Sequence, residues 1–121
     1  MKLFGKERGF MMTVGASAAL AKMCPGEDLT RMEELFSEAT TASGMYKIAE
    51  MAAIMSRAYE ERQKLEDPNY VPDPLNADDL MALTLPEFLA LNKQVLETYV
   101  GDSKPSIETE ESKKEEGAKA D

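Results

Sequence analysis

A group of carboxylates between residues 60 and 79 is the first place to look for chemistry in this chain. Its members are Glu60, Glu61, Glu66, Asp67, Asp73, Asp78 and Asp79. Acid–base catalysis by carboxylates needs two acids at a fixed separation in a partly dry cleft. These acids instead follow the charged end of a predicted helix and a proline-rich segment, and the glycine and final glutamate of a calcium loop are missing. We therefore predict a solvated acidic face, with no catalytic group, no metal and no cofactor.

The remaining inventory removes most other reactive groups. The chain contains no histidine and no tryptophan, and Cys24 is its single cysteine. A lone cysteine forms no internal disulfide and provides no metal-ligand spacing, so we expect Cys24 to be a small buried apolar side chain in a reducing compartment. The net charge of -9 repels phosphate backbones, which argues against nucleic-acid binding. No signal peptide or membrane-length apolar run is found, so we predict a soluble protein of the cytoplasm. The missing reactive groups indicate that it is not an enzyme.

Apolar residues give a better candidate for function, because they exceed what the predicted core requires. Nine methionines occur in the 121 residues, and Met51 and Met81 are among those that do not clearly point inward. Unbranched thioether side chains repack against different partners and are common on adaptable binding surfaces. The predicted partner-binding residues are Leu89, Leu91, Leu96 and Val100 on the last helix, together with Met51 and Met81. A wider buried face is the alternative explanation for the same residues.

The elements that would position these residues are helices. The sequence predicts a mainly all-α domain of about five helices spanning residues 1–101, followed by a disordered, charged tail at 102–121 whose one sizeable apolar residue is Ile107. Alternation between Lys2 and Met12 indicates a short strand or hairpin remnant. Thr13 and Asp28 are predicted N-caps of the first two helices, and Cys24-Pro25-Gly26 ends the first near Met23.

The middle and end of the chain carry the clearest helical patterns. Met45 to Leu65 is predicted as a central helix, entered from a loop at residues 40–44 and packed on two sides because two apolar stripes run along it. Asp67 to Pro74 holds three prolines and cannot be helical, so we expect an extended segment that Tyr70 and Val71 attach to the body. Asn76 caps a short helix. Thr84-Leu85-Pro86-Glu87 is a capping box for a final helix that ends at Gly101.

Two stretches resemble a known family. TVGASAALAKMCPGEDLTRMEELF and YVPDPLNADDLMALTLPEFLALNKQVLETY, followed by a Lys/Glu-rich end, are similar to small tail assembly chaperones of long-tailed phages and prophages of Gram-positive bacteria. The resemblance covers Thr13 to about Asp121. Members of this family open with a longer strand-forming segment, which Gly5 and Gly9 interrupt here.

The resemblance implies a mostly helical, non-enzymatic protein of the bacterial host cytoplasm that is absent from the finished virion. Its partners would be the tape measure protein, which it keeps soluble, and the tail tube protein, whose subunits it helps to recruit. Self-association is left open. The alternative from another class is a small structural virion protein, such as a head-tail connector or tail-completion protein.

Overall fold

A computed structural model describes residues 1–103 and confirms a mainly helical domain with a two-stranded N-terminal hairpin. Strands β1 (Lys2–Leu3) and β2 (Lys6–Glu7) pair antiparallel, with Lys2 opposite Glu7 and Leu3 opposite Lys6. Phe4 and Gly5 join them with φ angles of 53° and 79°. Two consecutive positive φ values define the tight turn whose twist matches that of a hairpin. The predicted short hairpin is therefore present, and Leu3 fixes it to the core.

The first helix begins where its cap predicts, whereas the second begins later, and both are shorter than predicted. Helix α1 (Val14–Ala21) starts after Thr13, whose Oγ1 accepts a hydrogen bond from the Ala16 backbone amide at 3.1 Å. It ends two residues before the predicted Met23, and a 3-10 turn follows at Pro25–Glu27. Asp28 caps a second 3-10 turn, Leu29–Arg31, so helix α2 begins only at Met32 and runs to Phe36.

Helix α3 (Ala42–Glu66) is the centre of the fold. The Thr41 Oγ1 atom caps it by accepting from the Gly44 amide at 2.9 Å, so the predicted loop at 40–44 is wrong from Ala42 onward. Helices α1 and α2, and two later helices, all contact α3, which confirms packing on two sides. Ile48, Met51 and Met55 are fully buried. The predicted apolar position Leu65 is 82% exposed, because the helix has left the core by that point.

The proline-rich segment lies along α3 and is held by polar side chains of that helix. The Tyr70 hydroxyl donates to Glu60 Oε1 at 2.7 Å, and the Asp73 backbone amide donates to the same atom at 3.0 Å. The Leu75 amide donates to Ser56 Oγ at 2.9 Å. The expectation for Tyr70 is confirmed, whereas Val71 is 79% exposed and does not attach the segment.

Two further helices complete the domain. Helix α4 (Ala77–Leu80) starts after Asn76, which accepts from the Asp78 amide at 2.7 Å. The predicted capping box opens helix α5 (Leu85–Ser103), since the Thr84 amide donates to Glu87 Oε1 at 2.8 Å. Helix α5 continues through Gly101 to Ser103, so the predicted end of this helix at Gly101 is wrong. Asp102 accepts a hydrogen bond from the Met12 amide at 3.2 Å. The predicted disorder of residues 104–121 lies outside the described residues.

Within residues 1–103, no helix combines the length and the apolar character needed to cross a membrane. The core lies between α3 and the surrounding helices. The largest fully buried apolar side chains in the described part are Leu20, Met32, Ile48, Met51, Met55, Leu80, Leu91 and Val95.

A candidate partner-binding surface on the last helix

Helix α5 has two neighbouring apolar faces, and the residues that the structure describes cover one of them. Phe88, Leu91 and Val95 are buried against the body. Beside them runs a second stripe, which we call the α5 stripe: Leu85, Leu89, Asn92, Leu96 and Val100. Residues spaced by three or four positions share one side of a helix, so these five side chains form a continuous row. Leu85 is 54% exposed, Leu89 42% and Val100 36%.

One end of the α5 stripe borders a groove between α5 and α2. The groove has a volume of about 400 Å³ and is lined by Glu33, Phe36, Ser37, Asn92, Leu96 and Val100. Phe36 lines it from α2 and packs against Tyr99, with the two ring centroids 6.0 Å apart. Leu96 is partly buried there. The lining therefore offers an apolar trough that a partner side chain could enter.

Asn92 is the polar member of the α5 stripe, and its environment is unusual. Its Oδ1 atom is shielded from solvent and accepts no hydrogen bond from the described residues. Buried polar atoms nearly always have a partner, because an unpaired acceptor loses its hydration without compensation. A hydrogen-bond donor that reaches this atom would therefore stabilise the structure.

A second, smaller groove lies at the other end of the stripe. It has a volume of about 150 Å³ and is lined by Met45, Leu80, Met81, Leu83, Leu85 and Phe88. Met81 is 39% exposed at its rim, as the sequence interpretation required. Leu85 links this groove to the α5 stripe, so an apolar surface continues from α4 to the end of α5.

The six predicted partner-binding residues divide into two sets. Leu89, Val100 and Met81 are exposed, and Leu96 is partly so, which makes all four available for contact. Leu91 and Met51 are fully buried, and their placement on a surface is wrong. Leu91 follows Phe88 by three residues and precedes Val95 by four, so it belongs to the core row. Met51 faces the body from α3. Here the alternative of a wider buried face is the correct one.

The sequence interpretation missed Leu85, Asn92 and Phe36. Leu85 and Asn92 had a usable signal, because with Leu89 and Leu96 they follow helical spacing. Phe36 had none. Its place beside α5 depends on how α2 packs, and nothing in the local sequence specifies that contact.

The acidic group is mostly exposed, as predicted, with Glu60 as the exception. Glu60 is only 4% exposed. Its two hydrogen bonds to the proline-rich segment explain its burial, and the bond to Glu60 raises the pKa of the Tyr70 hydroxyl to about 12. Glu60 is thus a structural acceptor. Among the residues described, no set of three or more candidate ligands is arranged to hold a metal ion.

Cys24 is buried, as the sequence predicts. Its Sγ atom donates to the Leu20 carbonyl oxygen at 3.4 Å. Burial raises the pKa of the thiol, with smaller contributions from nearby carboxylates, which keeps it protonated and unreactive.

Comparison with protein-family models, with curated protein sequences and with solved structures finds no match to this chain.

Proposed function

We propose that this protein is a tail assembly chaperone of a long-tailed phage or prophage. It binds the tape measure protein, keeps it soluble and helps to recruit tail tube subunits. It has no enzymatic activity, acts in the cytoplasm of the bacterial host and is absent from the mature virion. The observation that carries the proposal is the α5 stripe, an exposed apolar row on a chain with a net charge of -9.

The stripe suits an amphipathic helix as its partner. Such a helix places apolar side chains every three or four residues into a groove, and helix-rich proteins of great length expose many such rows before assembly. Completing the burial of the half-exposed stripe residues contributes on the order of 1 kcal/mol each before the costs of association. Several sites of this kind along one partner would hold it through many weak, reversible contacts.

The charge of the body supports the same role. A large net charge keeps a protein soluble and resists aggregation, and a bound chaperone would confer that property on its partner. Since the contact itself is apolar, we expect the affinity to depend only weakly on salt.

Co-expression with the tape measure protein encoded in the same phage genome tests the contact. The variant Leu85→Ser/Leu89→Ser removes two exposed leucines, and Leu91 is left intact because it belongs to the core. Val14→Ser/Leu65→Ser is the matched control, since these two apolar residues are 88% and 82% exposed but lie on other helices. We expect the stripe variant to lose co-purification and to leave the tape measure protein in the insoluble fraction, at both low and high salt.

Equal co-purification of the stripe variant and the control, with both variants folded, would contradict this contact. Collapse of wild-type binding at moderate salt would contradict its apolar character.

Mass spectrometry of purified virions separates this function from the structural alternative. A chaperone is absent from mature particles, whereas a head-tail connector or tail-completion protein is present at a fixed copy number. Detection at a fixed copy number would therefore reassign the protein.

A further inference from the structure

The α5 stripe is arranged so that it complements itself. Two pairs of stripe residues share one midpoint along the helix, which lies between Asn92 and Lys93. The first pair is Leu85 and Val100, and the second is Leu89 and Leu96. If a second copy of α5 runs antiparallel about a two-fold axis through that midpoint, Leu85 meets Val100 of the second copy. Leu89 likewise meets Leu96 of the second copy. A surface with this property forms a closed, isologous interface and no open chain of molecules.

Asn92 lies beside the centre of this arrangement. Its amide carries both a donor and an acceptor, so two copies of Asn92 can hydrogen-bond to each other across a two-fold axis. Rotation of the side chain would turn the unpaired Oδ1 from its shielded position toward such a donor. A single asparagine in an apolar helix seam is a known means of fixing register and oligomeric state.

The distribution of charge also favours this face. Two chains of net charge -9 repel each other over most of their surfaces. Along α5, the exposed acids Glu87, Glu97 and Asp102 lie outside the stripe. The charged residue nearest its centre in sequence is the base Lys93. Glu33 is the carboxylate that lines the groove. The stripe is therefore a place where two copies can approach with little direct repulsion.

We propose that, without a partner, the stripe is covered by a second copy of this chain, through an antiparallel pair of α5 helices centred near Asn92. The dimer keeps the apolar row out of water. A partner helix that binds the same row competes with the second copy, so partner binding would dissociate the dimer. The oligomeric state of the pure protein does not depend on the proposed function, and the two can fail separately.

Sedimentation equilibrium of the purified full chain tests the dimer. We expect a mass of twice the 13.4 kDa of one chain, falling toward one chain on dilution. Leu89→Ser should shift the association toward monomer by at least tenfold in the dissociation constant, whereas Val14→Ser should leave it unchanged. Wild-type protein that stays monomeric at every loading concentration would overturn the proposal.

Charge exchange at Asn92 tests the symmetry. Asn92→Asp and Asn92→Lys each place like charges near the two-fold axis, so each variant alone should be monomeric, with its fold checked by circular dichroism. Mixing the two should restore a dimer, because opposite charges then meet. If both variants stay dimeric, or if the folded mixture stays monomeric, the axis does not pass near Asn92 and the proposed interface is wrong.

Discussion

Helices α3 and α5 both carry apolar residues on two neighbouring faces, but they differ in how much of the second face is covered by other parts of the protein. Helix α3 is covered on both sides, by neighbouring helices and by the proline-rich segment. Within residues 1–103, helix α5 is covered on one side, and its other apolar row is partly exposed. Apolar content alone does not distinguish the two helices.

The polar residues within each apolar surface explain the contrast. In α3, Glu60 accepts a hydrogen bond from the Asp73 amide of the proline-rich segment, and Ser56 accepts one from the Leu75 amide directly after it. These bonds give both buried side chains a partner and hold the segment in place. In α5, Asn92 occupies a comparable position, but the described residues offer no partner to its Oδ1. A paired polar group in an apolar face thus marks a completed contact, and an unpaired one marks a surface suited to a further contact.

The largest expected effect comes from placing a charge in the covered face of α3. Met55 is fully buried, and Met55→Asp would leave an unpaired carboxylate in the core at a cost of several kcal/mol. We expect the cooperative thermal transition measured by circular dichroism to be lost. Leu65→Asp on the same helix is the control and should cost no more than about 1 kcal/mol, because Leu65 is exposed. A normal melt for Met55→Asp would show that this face is accessible.

A smaller effect on stability is expected when alanine replaces a helical glycine, and its sign should differ between the packed start of α3 and the unpacked end of α5. An alanine Cβ at Gly44 would lie 1.7 Å from the Glu38 carbonyl oxygen, so Gly44→Ala forces a backbone shift that costs about 1–3 kcal/mol or more. A Cβ added at Gly101 would have no atom within 4 Å. Gly101→Ala should therefore stabilise the helix by about 0.5–1 kcal/mol. Denaturant unfolding measures both changes, and equal effects would contradict the contrast in packing.

The smallest effect concerns the bond that attaches the proline-rich segment to α3. Hydrogen bonding to Glu60 raises the pKa of Tyr70 to about 12 from an ordinary value of 10.0. A raised tyrosine pKa means that the folded state favours the protonated hydroxyl. The contribution to stability is therefore complete below about pH 10 and is lost as the pH rises through about 12.

Tyr70→Phe should lower the melting midpoint by a few degrees at neutral pH, and the difference from wild type should vanish at high pH. When tyrosine ionisation is followed by ultraviolet absorbance, the same variant should lack the ionisation step with the highest pKa. If the difference in midpoint stays constant across that pH range, the hydroxyl bond does not support the segment.

The sequence by itself determined the helical class and most helix starts. The reason is local: the side chains of Thr13, Asn76 and Thr84 each accept a hydrogen bond from a backbone amide within three residues, so the signal and the structure it specifies lie together. The break at residues 67–74 follows from proline chemistry in the same way. Helix ends were predicted less well: α5 passes through Gly101, because the cost of one glycine in a helix, about 0.5–1 kcal/mol, does not by itself end it.

Only the tertiary structure decided which apolar residues are covered. Leu89 and Leu91 are the same amino acid two positions apart, yet one is 42% exposed and the other is fully buried. Periodicity shows that they lie on different sides of α5, but the side that meets the body is chosen by α2 and α3, which are distant in sequence. The burial of Glu60 was decided likewise, by a segment that begins several residues later and returns along α3. Local sequence fixes the direction of a side chain, whereas long-range packing decides what that side chain meets.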